Sequence, residues 1–124
     1  MHVVLLGDSI FDNQAYVGTG PDVVRQLRDE LPDDWSATLL AIDGDVISGV
    51  AMQLRGRPRD ATHLVVSVGG NDALGFAHLL QSGAGSVAEA LGVLRSAQDA
   101  FAADYASMID ACLLYTSPSP RDRS

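Results

Sequence analysis

Val3-Val4-Leu5-Leu6-Gly7-Asp8-Ser9 is a run of four apolar residues cut off by a glycine, an acid and a hydroxyl. A short continuous apolar run ended in this way is the pattern of a central parallel strand covered on both faces. The same pattern returns at His63-Leu64-Val65-Val66-Ser67-Val68, ended by Gly69-Gly70, and in a weaker form over residues 35–42, ended by Asp43-Gly44-Asp45. Between these runs the spacing turns helical. Gly20-Pro21-Asp22 supplies a helix start with proline at an early helical position, Val23, Val24, Leu27 and Leu31 share one face, and Pro32 stops the helix. A short helix is expected from Val46 to Leu54, and further helices over 73–81 and 86–111, separated by Gly83-Ala84-Gly85. Strands alternating with helices at this spacing predict an α/β domain, a parallel sheet with helices on both faces. In such sheets sites gather outside the carboxyl ends of the strands. Ser9, the Asp43–Asp45 turn and Asn71-Asp72 each follow a strand, so they are expected on one rim.

Composition narrows the partners. The chain has 124 residues, enough for one core, and a formal charge of -8 from eight basic and sixteen acidic residues; every basic residue is arginine. That field repels polyanions. Arg55-Gly56-Arg57-Pro58-Arg59 is the one basic cluster, without interleaved aromatics, and reads as a solvated loop rather than a nucleic-acid surface. No apolar run is long enough to span a membrane, and the N-terminus lacks the basic and apolar regions of an export signal, so a cytoplasmic location is expected. Cys112 is the single cysteine, which excludes an intramolecular disulfide and any cysteine metal spacing.

A serine hydroxyl attacks an ester only when a base takes its proton and donors stabilise the oxyanion that forms. Ser9 projects from a tight turn after a buried strand, where Gly7 lets the backbone bend. A glycine N–H at Gly44 and the amide of Asn71 are the candidate donors beside the Ser9 N–H. Gly7-Asp8-Ser9, the glycine of Asp43-Gly44-Asp45, and Gly69-Gly70-Asn71-Asp72 stand in the order of three blocks of the SGNH/GDSL hydrolases, and the chain resembles that family on them. The resemblance implies a three-layer αβα fold with a flavodoxin-like parallel sheet. It implies a serine esterase or lipase that acts on small-molecule acyl esters, with Ser9 as nucleophile and Ser9, Gly44 and Asn71 as the oxyanion hole. Gly7, Asp8, Gly70 and Asp72 support them, and no cofactor or metal is implied.

The family's last block, an Asp-x-x-His near the C-terminus that carries the catalytic base, has no counterpart after Gly69-Gly70-Asn71-Asp72; Asp60-Ala61-Thr62-His63 has that spacing but precedes this block and opens the third strand. His2 and His63 open strands at the far end of the sheet, and His78 lies in a helical pattern, so all three read as structural or surface histidines. Residues 112–124, CLLYTSPSPRDRS, break the Ala-rich pattern before them and resemble a translated sequencing-library adapter, or else a Ser/Pro-rich disordered tail. The expectation is an N-terminal portion of one hydrolase domain over residues 1–111, truncated after about the third strand and its following helices and inactive by itself, with a non-native or disordered tail.

Two other functions stay open at this level. Asp8, Asp12, Asp43, Asp45 and Asp72 could hold a cation for metal-dependent phosphoester hydrolysis, although Asp8 and Asp72 also suit loop-ordering acceptors and Asp45 a helix cap. A non-catalytic α/β binding module is the other. Gly83-Ala84-Gly85-Ser86-Val87-Ala88 matches a dinucleotide fingerprint on paper, but it follows a helical pattern, so Ser86 reads as an N-cap. Phe101, Tyr105 and Ile109, at four-residue spacing, are expected to face the core.

Overall fold

The computed structural model describes residues 1–116 as a mixed α/β fold. Strand β1 (His2–Gly7) is central, flanked by β2 (Ser36–Leu39) and β3 (His63–Ser67), and both pairings are parallel. Val3 pairs with Ala37 on one side and with His63 on the other. The first crossover, through α1 (Val23–Glu30), carries the chain from β1 to β2; the second, through α2 (Val50–Arg55), carries it from β2 past β1 to β3, which gives the order β2-β1-β3. Helices α1 (Val23–Glu30), α2 (Val50–Arg55), α3 (Gly70–Phe76) and α4 (Val87–Thr116) complete the fold, with 3-10 turns at Gln14–Tyr16, Ile47–Gly49 and Ala77–Gln81.

The alternation of β1 divides the core in two. Val4 and Leu6 pack with Ile47, Val50, Leu54, Met108 and Cys112, which places α2 and α4 on one face. Val3 and Leu5 pack with Val24 and Ala37 on the other, under α1. Leu6, Ile47, Leu54, Val4 and Val50 are fully buried, each contributing roughly 1.5–3 kcal/mol of apolar burial. The apolar run of β1 is therefore covered on both sides, as its composition requires.

Several boundaries differ from expectation for local reasons. Asp22, not Pro21, opens α1: its carboxylate accepts the Arg25 N–H at 3.1 Å, and Pro21 precedes the helix. Leu31 lies just past the end of α1, its N–H still bonded to the Leu27 carbonyl. Helix α3 begins at Gly70 rather than 73, because Gly69 at φ +124° turns the chain and its carbonyl accepts the Ala73 N–H. Ser86 does cap α4, accepting the Glu89 N–H at 3.0 Å.

Helix α4 also departs from the expected pattern. It runs through 111 without a break to Thr116, so residues 112–116, expected in a tail, are helical here; 117–124 lie outside the described residues. Cys112 is buried one turn beyond Met108, with Sγ and Sδ 3.8 Å apart. Tyr115 lies under the Arg57 guanidinium, 3.7 Å from ring centroid to carbon. Tyr105 and Ile109 are each 38% exposed, so the expected stripe is not the buried one: Phe101, Met108, Ala111 and Cys112 face the core. The helix meets the sheet through its C-terminal half, and the face it presents is set by that crossing.

Candidate active site

The carboxyl end of β1 is shaped by one glycine. Gly7 has φ +124°, and its backbone lies so close to β3 that a Cβ would stand 1.8 Å from the Ser67 carbonyl oxygen. That oxygen accepts the Asp8 N–H at 3.0 Å, and the chain then turns sharply. Asp8 is buried and organises the turn, its side chain taking the Ile10 N–H and its carbonyl the Phe11 and Asp12 N–H groups. Ser9 is half-buried at the tip of this turn. Among the described residues neither its hydroxyl nor its N–H has a hydrogen-bond partner.

The three polar turns are tied to one another. Asp12 accepts the Asp43 N–H at 2.7 Å, joining the loop after Ser9 to the turn after β2. The Tyr16 hydroxyl reaches both oxygens of the Asp43 carboxylate, at 3.0 and 2.9 Å. That hydrogen bond and the carboxylate charge hold the Tyr16 hydroxyl above its ordinary pKa of 10.0. Asn71 donates from Nδ2 to the Asp45 carbonyl at 2.9 Å, and Asp72 accepts the Ile47 N–H at 2.9 Å, joining the start of α3 to the same turn. Asn71 follows β3 and sits in the first turn of α3. Gly44, at φ +86°, is exposed, and its N–H has no acceptor among the described residues. A carboxamide nitrogen carries two protons. One from Asn71 holds the Asp45 carbonyl, and the other has no acceptor among the described residues.

Gln53 is the residue that the sequence did not single out. It is buried on α2 and reaches back to the end of β1. Its Oε1 accepts the Gly7 N–H at 2.8 Å, and its Nε2 donates to the Gly7 carbonyl at 2.8 Å and to Asp45 Oδ2 at 2.7 Å. The signal was there: a lone glutamine between Val50 and Leu54, on a helix face otherwise apolar.

The acidic residues are engaged in the same architecture. Asp45 does not cap α2 as expected. Its Oδ1 takes the Val46 N–H at 2.8 Å, and its carboxylate occupies the space that a side chain on Gly49 would need. Asp8, Asp12, Asp43, Asp45 and Asp72 thus each accept from a protein donor. No three His, Cys, Asp or Glu side chains among the described residues group as metal ligands. A Cβ on Gly70 would meet nothing within 4 Å, so the start of α3 borders open space.

The histidines are elsewhere. His2 bonds Asp60 and Thr38 at the amino end of the sheet, and His63, on the same end, stacks on Trp35 with ring centroids 5.9 Å apart. His78 Nδ1 lies 2.6 Å from the Gly75 carbonyl oxygen. None bonds to Ser9. Among the described residues no helix is long and apolar enough to cross a membrane. No family model matches the chain, and no curated protein matches it.

Proposed function

We propose that this chain carries the nucleophile and oxyanion side of a serine esterase site of the SGNH/GDSL hydrolase type, acting on acyl esters through an acyl-enzyme on Ser9. One observation carries the reading. Ser9, Gly44 and Asn71 stand on three turns laced together by hydrogen bonds, and among the described residues each keeps a donor without an acceptor: two backbone N–H groups and one amide proton. Donors fixed in advance and left unpaired are what a developing oxyanion needs. In the reaction Ser9 Oγ attacks the ester carbonyl carbon and its proton passes to a base. The C–O bond to the leaving group then breaks, the alcohol departs with a proton, and water hydrolyses the acyl-serine by the reverse proton path.

None of the three histidines bonds to Ser9, so the test supplies a base. With imidazole in solution, hydrolysis of p-nitrophenyl acetate should exceed the imidazole blank, and Ser9→Ala should remove the excess. Equal excess rates in the parent chain and in Ser9→Ala would overturn the assignment of Ser9.

A further inference from the structure

We propose that Gln53 is a positioning residue that clamps the nucleophile turn and the Gly44 loop into one unit; this rests on the reading of Ser9 as nucleophile. Strand β2 ends its pairing with β1 at Leu5–Leu39. The chain stays close for three more residues, with Ile42 N–H reaching the Gly7 carbonyl at 3.0 Å, but no backbone acceptor meets the Gly7 N–H. The Gln53 carboxamide takes that place. It presents to the Gly7 N–H the acceptor that a neighbouring strand would have supplied, and donates to the Gly7 carbonyl, which it shares with the Ile42 N–H. Its remaining amide proton goes to Asp45 Oδ2, next to Gly44.

Every hydrogen-bonding site used is well chosen for rigidity. Both protons of Nε2 are donated, the side chain is buried, and no nearby water is needed to complete it. The clamp acts on a backbone that is already constrained: Gly7 is pressed against Ser67 on its other side. Gly7 precedes Ser9 by two residues and Asp45 adjoins Gly44, so one side chain sets the spacing between nucleophile and oxyanion donor. Small displacements of such groups are costly, about 100-fold for roughly 1 Å. A glutamine serving only to fill the core would leave this spacing, and hence the rate per folded molecule, unchanged.

The test compares the full chain with Gln53→Met, which keeps the length and removes the hydrogen bonds. Fraction folded is read from thermal melting, Gly7 amide exchange by NMR, and Ser9-dependent hydrolysis of p-nitrophenyl acetate with imidazole. The expected result is exchange at Gly7 faster by about tenfold or more relative to Leu6, and kcat per folded molecule lower by about 10- to 100-fold with KM little changed. Unchanged exchange and unchanged kcat per folded molecule would overturn the proposal. If Gln53→Met does not fold, Asp45→Asn, which puts an amide against the Gln53 amide, is judged by the same two readouts. Absence of any Ser9-dependent hydrolysis in the parent chain defeats the esterase reading alone; the clamp is then decided by Gly7 exchange, protected in the parent and lost in the variant if it exists.

Discussion

Gly7 and Ser67 approach so closely that no side chain fits between them: a Cβ on Gly7 would stand 1.8 Å from the Ser67 carbonyl oxygen. Gly7 is also at φ +124°, a region that other residues enter at a cost of about 1–3 kcal/mol. Gly7→Ala therefore has to push β3 away from β1 as well as strain the turn. It is expected to destabilise by more than about 3 kcal/mol, at the high end for single substitutions. Gly44→Ala, where nothing lies within reach of the new methyl, should cost only the conformational strain, roughly 1–2 kcal/mol. Chemical denaturation of the two variants checks the contrast, and equal losses would contradict it.

Asn71→Ala is expected to lower Ser9-dependent hydrolysis by about 10²–10³, the usual effect of removing one oxyanion donor. The same change removes the bond to the Asp45 carbonyl, worth about 1 kcal/mol of stability. Rates must therefore be compared at equal fraction folded. A loss below tenfold would take Asn71 out of the donor set.

Without added imidazole the chain should show negligible turnover of p-nitrophenyl acetate, because no histidine bonds to Ser9. His2 and His63 are held at the opposite end of the sheet by Asp60, Thr38 and Trp35. Rapid hydrolysis without imidazole, abolished by Ser9→Ala, would show that a base reaches Ser9 after all.

Stability should fall at alkaline pH. Burial pushes the Cys112 thiol above its ordinary 9.0, and the Asp43 hydrogen bond raises Tyr16 above 10.0. A pKa raised by folding contributes stability that is fully present below the unfolded value and lost as pH rises through the folded one. The denaturation midpoint is expected to hold up to about pH 9 and to decline above it, with a shallower decline in Cys112→Ala. An alkaline decline of the same slope in that variant would remove Cys112 from the account.

Strand β3 pairs only with β1 among the described residues, and Val65 on it is 43% exposed. An unpaired, β-branched edge invites pairing with a second copy. Size-exclusion chromatography is expected to show concentration-dependent self-association, reduced in Val65→Lys. A monodisperse monomer at every concentration would show that the edge is protected in solution.

The sequence alone was enough for whatever depended on a few adjacent residues. The apolar run Val3–Leu6 ended by Gly7 is a central strand because four consecutive apolar side chains need cover on both faces. Ser86 caps α4, and the turns bearing Ser9, Gly44 and Asn71 gather at one rim because parallel strands all end there. What the sequence did not reveal depended on residues distant in the chain. The bonds from Gln53 to Gly7 span 46 positions, and a lone glutamine on an apolar helix face has no local sign of where its amide will reach. The buried face of α4 is likewise a matter of docking. Phe101, Tyr105 and Ile109 have helical spacing, yet the angle at which the helix crosses β3 and α2 buries Met108 and Cys112 and turns Tyr105 and Ile109 outward. Periodicity states that a helix has an apolar side; only the packed neighbours choose which residues on it lose contact with water.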